Sequence, residues 1–447
     1  LQSGVDAVKL ECVGRGARDI GRVALLVLVS WSSMLFAQDT TRVESGVRVG
    51  ITYTPGSRPT IGVTAPPGAV FDSVKAIVAR DLDQSDRFEM VERPPSDSAS
   101  RLGTGPAARY LVVIDTAPGG AVVAAVRLVD VATNRSLARV GVPLQAMGAP
   151  GWRRAVHQVS DEVVRAATGT PGVAATALLF VREGQLARID ADGANPAGVR
   201  SAGRPALSPA WSPGGRWIAY TAFVPHGQPI VLQDLATGRR EVVPTTEYGL
   251  NITPEFSPDG RLLAFAHGTE AGMDVYVYDV ERRCCVQRIT AGRFSDNLSP
   301  TWSPDGQRLA FISNRSRSPQ LYVMAADGTN QEVLGRFDFG ATGPTAGPAW
   351  SPDGQAIAFH REVGGTPQVF VLDLATRAVR QITGSGRNED PTWAPDGRHL
   401  AFVSTRGGGR DLWIVDLETG RQRQLTRVGG ARLPSWSPRL SSDEGRE

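Results

Sequence analysis

The chain is poor in the residues that build crosslinked scaffolds and metal centres. Its 447 residues hold three cysteines. Cys12 falls in a segment read below as removed, and Cys284 and Cys285 are neighbours, so their spacing defines no disulfide framework. A bridge between adjacent residues is disfavoured by disulfide geometry. The five histidines, His157, His226, His267, His360 and His399, are scattered, whereas a metal-dependent lyase needs its imidazoles clustered. Aligned on Phe265 and Phe359, His267 and His360 do not share a register. Each histidine reads as a lone surface or strand residue, and no metal site is assigned.

No Gly-x-Ser-x-Gly string occurs, which removes the nucleophile elbow of α/β-hydrolases. The glycine-rich TRGGGRD (405–411) lacks the Lys-Ser/Thr ending of a phosphate loop and lies between two strands, so it reads as a hairpin loop. The formal charge is only +3 and the basic residues are dispersed, leaving no basic face for nucleic acid. Past the N-terminal segment no apolar run reaches about 18 residues, so no membrane span is read in the mature chain.

That N-terminal segment carries Arg15, Arg18 and Arg22, then the apolar run VALLVLVSWSSMLFAQ (23–38). A basic flank, a short apolar core and a small residue at its end read as an export signal, cut after Ala37. An uncleaved anchor is the competing reading, favoured only by Leu35 at the third position before the cut.

Turn formers are abundant, with 50 Gly and 31 Pro, and many of them sit in a repeated phrase. PAWSPGG (209–215), PEFSPDG (254–260), PTWSPDG (300–306), PAWSPDG (348–354), PTWAPDG (391–397) and PSWSP (434–438) recur. Their aromatic residues, Trp211, Phe256, Trp302, Trp350, Trp393 and Trp436, are spaced by 45, 46, 48, 43 and 43 residues. A repeat of this length is one supersecondary unit that cannot bury its own core. Within a unit the aromatic ends a short strand and Ser-Pro-Asp-Gly reverses the chain: Pro presets φ, Asp bonds its own backbone, Gly accepts positive φ. Three further strands follow, as in RLAFIS (308–313), QLYVMAA (320–326) and QEVLG, and four antiparallel strands make a propeller blade.

Counting strands explains why the chain finishes on the opening of a unit. LLFVREGQLARIDADGANPAGV (178–199) reads as strands two to four of a blade with no first strand, and LPSWSP near the C-terminus supplies one. Joined, they give a six-bladed β-propeller closed by the C-terminal strand, with no open sheet edges. One aromatic per blade at fixed register reads as inter-blade packing.

Upstream, residues 38–168 form an α/β N-terminal domain with a mixed sheet. VRVGI, TIGVT, RFEMVE, RYLVVID, AVVAAVRLVDV and SLARVGVPL alternate as strands. Two segments read as helices: 70–84, with Phe71, Val74, Val78 and Leu82 on one stripe, and 152–167, with Val156, Val159, Val163 and Ala167. Residues 169–175 read as a linker, 176–440 as the propeller and 441–447 as a polar tail.

Taken together, the signal-like segment, the small domain opening with GVRVGITYTPGSRPTIGV (46–63), the helix pair, the six blades and the ending PSWSPRL resemble the TolB family, the periplasmic component of Tol-Pal envelope systems. The resemblance covers nearly the whole mature chain. It departs in the tail SSDEGRE, in residues 39–45 ahead of the family's usual mature start, and in the loop sequences. It implies an adaptor and no cofactor. A Pal-like peptidoglycan-associated lipoprotein would enter the propeller mouth, and a TolA-like inner-membrane protein would engage the N-terminal segment containing Val47, Arg48, Val49 and Ile51. An exported propeller hydrolase or lyase with an unrecognised active site is the alternative.

The mouth is where loops from each fourth strand to the next first strand meet the loops joining second and third strands. The former read EYGLNITP (247–254), RFSDNLSP (293–300), FGATGPTAGP (339–348) and SGRNEDP (385–391). Asn251, Asn297 and Asn388 recur ahead of the proline, with Asp296, Ser299, Glu389 and Asp390 beside them, and these seven are the candidate contacts. Turn chemistry is the plainer explanation for Asn and Asp at such bends.

Overall fold

The computed structural model describes residues 58–91, 108–116, 123–143, 151–245, 249–292, 294–334 and 343–440. The expected export signal, the segment holding Val47, Arg48, Val49 and Ile51, and the polar tail lie outside the described residues. Among the described residues no helix is long and apolar enough to cross a membrane.

The first layer contains β1 (Thr60–Thr64), α1 (Ala69–Gln84), β2 (Glu89–Met90), β3 (Tyr110–Thr116), β4 (Val123–Asp130), β5 (Arg135–Pro143) and α2 (Trp152–Thr168). The sheet order is β2-β1-β3-β4-β5. β1 runs parallel to β2 and β3, while β3, β4 and β5 are antiparallel, so the sheet is mixed. A parallel pair needs a crossover, and α1 supplies it between β1 and β2. Val74, Ile77, Val78 and Leu82 form the buried stripe of α1, and Val156, Val159, Val163 and Ala167 that of α2. Gly169 ends α2 with φ +85°, where its N–H bonds the Arg165 carbonyl at 2.8 Å. A side chain in that left-handed conformation would be strained.

Six four-stranded sheets follow. Blades 1 to 5 open with the inner strands Ala206–Trp211, Asn251–Phe256, Asn297–Trp302, Thr345–Trp350 and Asn388–Trp393. Blade 6 is composite. The C-terminal strand Ala431–Trp436 pairs with β6 (Ala177–Arg182), which continues into β7 (Gln185–Asp190) and β8 (Ala197–Val199). The ring is therefore closed by strands from its two sequence ends.

Each blade's motif aromatic anchors a separate apolar cluster shared with a neighbouring blade. Trp436 packs among Leu178, Phe180, Ala401, Val403 and Ile414, and Trp393 among Ala358, Val369, Leu400 and Phe402. Trp393 also donates its indole N–H to the Ala349 carbonyl of blade 4 at 2.9 Å. These aromatics are inter-blade packing.

The reversal after the aromatic follows its sequence logic. The Gly260 N–H bonds the Ser257 carbonyl at 2.8 Å, and Asp259 accepts from both the Ser257 hydroxyl and the Arg261 N–H. Ser303-Asp305 and Ser351-Asp353 repeat this in blades 3 and 4.

Every inner strand carries one register irregularity against its partner. The residue just before the proline adopts positive φ in all six: Ser208, Thr253, Ser299, Gly347, Asp390 and Leu433, between 50° and 57°. A left-handed residue inside a strand is a bulge, and it re-aims the neighbouring side chains and N–H groups.

Two expectations are corrected. Cys284 and Cys285 are joined as a vicinal disulfide at the start of the fourth strand of blade 2. Three of the histidines are not lone residues: His157, His267 and His399 are 2%, 3% and 1% exposed, and each is paired, whereas His226 is exposed. Spacing along the chain could not show this, because every partner except Asp396 is far off in sequence.

Candidate functional site

The six bulges converge on a central channel of ≈ 440 Å³. Ser208, Thr253, Ser299, Gly347, Asp390 and Leu433 all line it, with Glu255, His360 and the motif aromatics. Adjacent blades are stitched around it. The Ser299 N–H donates to Thr253 Oγ1 at 3.2 Å, the Asp390 N–H to His360 Nδ1 at 3.1 Å and the Leu433 N–H to Asp390 Oδ2 at 3.4 Å. A second tier uses the position before the aromatic: Trp302 N–H to Glu255 at 2.9 Å, Trp350 N–H to Thr301 Oγ1 and Trp436 N–H to Thr392 Oγ1, both at 3.2 Å.

Two acids sit in this wall. Burial pushes the Glu255 carboxyl up to about 7, against hydrogen bonds from the Trp302 N–H and the Thr301 hydroxyl. Burial likewise raises Asp390, opposed by the His360 imidazole 3.9 Å away. The channel can thus change charge near neutrality.

The structure divides the seven candidate contacts into three groups. Asn251, Asn297 and Asn388 open the inner strands and are buried, at 2%, 0% and 0% exposure. Asn297 donates to Asp274 at 2.9 Å and accepts from Arg315 at 2.7 Å. Asn388 donates to Gln368 at 2.8 Å and accepts from Arg406 at 3.0 Å, and Asn251 shares a 2.8 Å bond with His267. These three fix the loops rather than face solvent. Ser299 and Asp390 face the channel. Asp296 and Glu389 are half-buried at the rim. Asp296 is held by Asn314 and the Met273 N–H, and Glu389 lies between Arg387 at 2.9 Å and Arg410 at 3.1 Å. The rim around Glu389 is therefore charge-balanced rather than acidic.

Apolar side chains complete the rim. Phe294 is 91% exposed beside Asp296, Leu250 and Val428 are exposed on loops of the same face, and Val363 is exposed at the end of its strand. Nothing in the alternating strand pattern singles them out, because they lie in or beside the turns.

A second polar constellation, missed in the sequence, lies on the opposite face. There the α/β layer packs on the Pro-Asp-Gly and third-to-fourth-strand turns of blades 5 and 6. Arg398 reaches Asp416, Glu418 and the Asp86 carbonyl, and Arg421 bonds Asp83 at 2.8 Å and Asp86 at 3.1 Å. Arg153 and Arg80 pair with Asp192. Asp81, His157 and Asp192, and separately Asp86, His399 and Asp416, each bring three donor atoms within 4.8 Å. Asp86, Asp192 and Asp416 already hold arginines, so these triads read as ion-pair networks, not cation sites.

Comparison with known proteins agrees with this architecture. The TolB beta propeller domain family matches residues 164–338 and 339–443. Tol-Pal system protein TolB of Methylococcus capsulatus is 33% identical over 245 residues, 51% of this chain and 55% of that protein. The protein of the same description from Escherichia fergusonii is 34% identical over 241 residues, 48% and 53% of the two chains. The chain thus spans about half the length of the curated relatives it matches. The crystal structure of TolB from Acinetobacter baumannii superposes with a TM-score of 0.72 at 28% identity, covering 86% of this chain and 98% of that one. With its six blades, composite closure and mixed-sheet layer, the chain belongs to the TolB β-propeller family.

Proposed function

We propose that the chain is a periplasmic adaptor of a Tol-Pal envelope system. It receives a Pal-like lipoprotein at the propeller mouth and a TolA-like inner-membrane protein at the segment containing Val47, Arg48, Val49 and Ile51, so linking envelope layers during constriction. The observation that carries the mouth assignment is an open channel lined by the six bulge residues with Glu255 and His360, on a face that also exposes Phe294, Leu250, Val363 and Val428. Apolar anchors around a recess of mixed polarity suit an inserted protein loop: the rim excludes water while the polar groups inside fix the register.

The test is capture of the same organism's Pal-like lipoprotein by the full chain. Wild type binds, Phe294→Ser with Val363→Ser loses most of the capture at unchanged melting temperature, and removal of residues 38–57 spares Pal capture while abolishing TolA capture. Failure of wild type to bind any Pal-like protein overturns the reading. Undiminished capture by the double variant moves the interface elsewhere.

A further inference from the structure

We propose that the seam between the α/β layer and the propeller is a proton-dependent clasp, in which His157 and His399 join the two layers only while their imidazoles are charged. The reading is independent of which partners the chain binds.

The geometry carries it. His399, in blade 5, places Nδ1 2.7 Å from Asp396 Oδ2 and turns Nε2 towards Asp86 Oδ2 at 3.4 Å and Asp416 Oδ2 at 3.6 Å. Asp86 belongs to the α/β layer. His157, on α2, places Nδ1 2.8 Å from Asp81 Oδ2 of α1 and Nε2 3.9 Å from Asp192 Oδ2 of the propeller. A neutral imidazole has one N–H, so its other nitrogen would aim a lone pair at a buried carboxylate oxygen. For His399 only the imidazolium satisfies both sides, while the His157 Nε2 makes no hydrogen bond and faces Asp192 as a charge contact alone.

The surrounding charges are dense on both sides of the seam. Around His399 stand Arg398, Arg421, Arg58 and Arg87 against Asp86, Asp83, Asp396, Asp416 and Glu418. Arg423 also feels Asp86 and Asp83, and His399 adds the cation that faces Asp396, Asp86 and Asp416 directly. Around His157 stand Arg80, Arg153 and Arg423 with Asp81, Asp161 and Asp192. The arginines keep their charge through neutral and mildly alkaline pH, burial lowering Arg423 to about 10, and the chain's only lysines are Lys9 and Lys75. The imidazoles are therefore the cations of this seam that titrate between neutral and mildly alkaline pH.

Burial alone would lower both histidines. In His399 the charge and hydrogen bond of Asp396, with Asp86 and Asp416, overcome it and hold the imidazole up at about 9. In His157 the hydrogen bond and charge of Asp81, then Asp192, also win. A basic group raised in the fold contributes fully below its ordinary value and fades as pH passes its raised one. Asp161, pushed up to about 7 by burial, acts in the same direction, since it gains a buried charge as pH rises. The clasp loosens towards alkaline pH.

The experiment uses the full chain with 13C-labelled histidine, the five imidazoles being assigned by single His→Gln variants. In wild type the His399 signal titrates well above the usual imidazole range of about 6.5. The scattering radius stays constant from about pH 6 to 7.5 and increases by about pH 10, with far-UV dichroism unchanged. His399→Gln and His157→Gln show the larger radius already at neutral pH, and the exposed control His226→Gln does not. The melting-temperature gap between wild type and His399→Gln is widest near pH 6 and closes by about pH 10. Titration of His399 at or below its ordinary value, a radius indifferent to its deprotonation, or a pH-independent melting gap each overturn the clasp. If the variants fail to fold, through-bond assignment of the wild-type imidazoles replaces them, and the wild-type titration and scattering decide.

Discussion

The Trp436 indole N–H donates to the Thr176 hydroxyl at 2.8 Å across 260 residues of chain, and the Ala177 N–H donates to the neighbouring Ser437 hydroxyl at 2.9 Å. The two ends of the propeller are thus fastened by side chains as well as by the strand ladder. Trp436→Ala should cost about 3–5 kcal/mol, the range for emptying a buried aromatic site, whereas deleting 441–447 should leave the urea midpoint unchanged. Deleting 431–447 exposes two strand edges and should abolish the cooperative transition altogether. Equal midpoints for the two deletions would refute closure by the C-terminal strand.

Glu255 gives the channel a pH signature of opposite chemistry to the seam. Its folded value, about 7, lies above the ordinary carboxyl range, so stability is lost as pH rises through neutrality and the carboxylate forms in the wall. Glu255→Gln keeps an acceptor for the Trp302 N–H and removes the charge. Thermal melts should show the variant level with wild type near pH 5 and more stable near pH 8, with a flatter pH slope.

The inner-strand asparagines should behave as struts. Asn297→Ala leaves Asp274 and Arg315 each short of a partner, and an unsatisfied buried group costs about 1–3 kcal/mol. Phe294→Ser, by contrast, should stay within about 0.5 kcal/mol because the side chain is in water. Chemical denaturation of the two variants separates them, and a neutral Asn297→Ala would remove the strut assignment.

Gly347 occupies the left-handed slot of blade 4 at φ +57°, and a Cβ there would lie 3.0 Å from His360 Nδ1. Gly347→Val combines a branched side chain with a conformation it resists, so a loss of about 1–3 kcal/mol is expected. Calorimetry would read this as a lowered melting temperature, and Gly347→Asn should recover part of it.

The blades were legible because Ser-Pro-Asp-Gly specifies its own turn locally and the aromatic repeats at blade spacing. The composite sixth blade followed from counting strands. The α/β layer showed through its helical stripes, whose predicted members Val74, Val78, Val156 and Val163 are all fully buried. The mouth was harder to read. The bulge ahead of each proline breaks the two-residue alternation, so Asn251, Asn297 and Asn388 point inward where a loop reading leaves them free. The seam depends on pairs such as Arg421 with Asp83, 338 residues apart, which no local pattern encodes. One signal was present: PTWAPDG has alanine where the other copies have serine. Ala394 brings no hydroxyl to the turn, so Asp396 is left to His399, and the usual Ser-Asp lock becomes a His-Asp contact.

The ring of six left-handed residues makes the channel a short alphabet. Reading around it gives Ser, Thr, Ser, Gly, Asp, Leu, six letters on one invariant backbone shape, with two of them, Thr253 and Asp390, also serving as the acceptor for the next blade's amide. A change at one slot rewrites both the surface a guest meets and the fastening of one neighbour, while the other slots keep their conformation. Such a lumen can diverge towards new guests one substitution at a time, with the blades that carry it left unaltered.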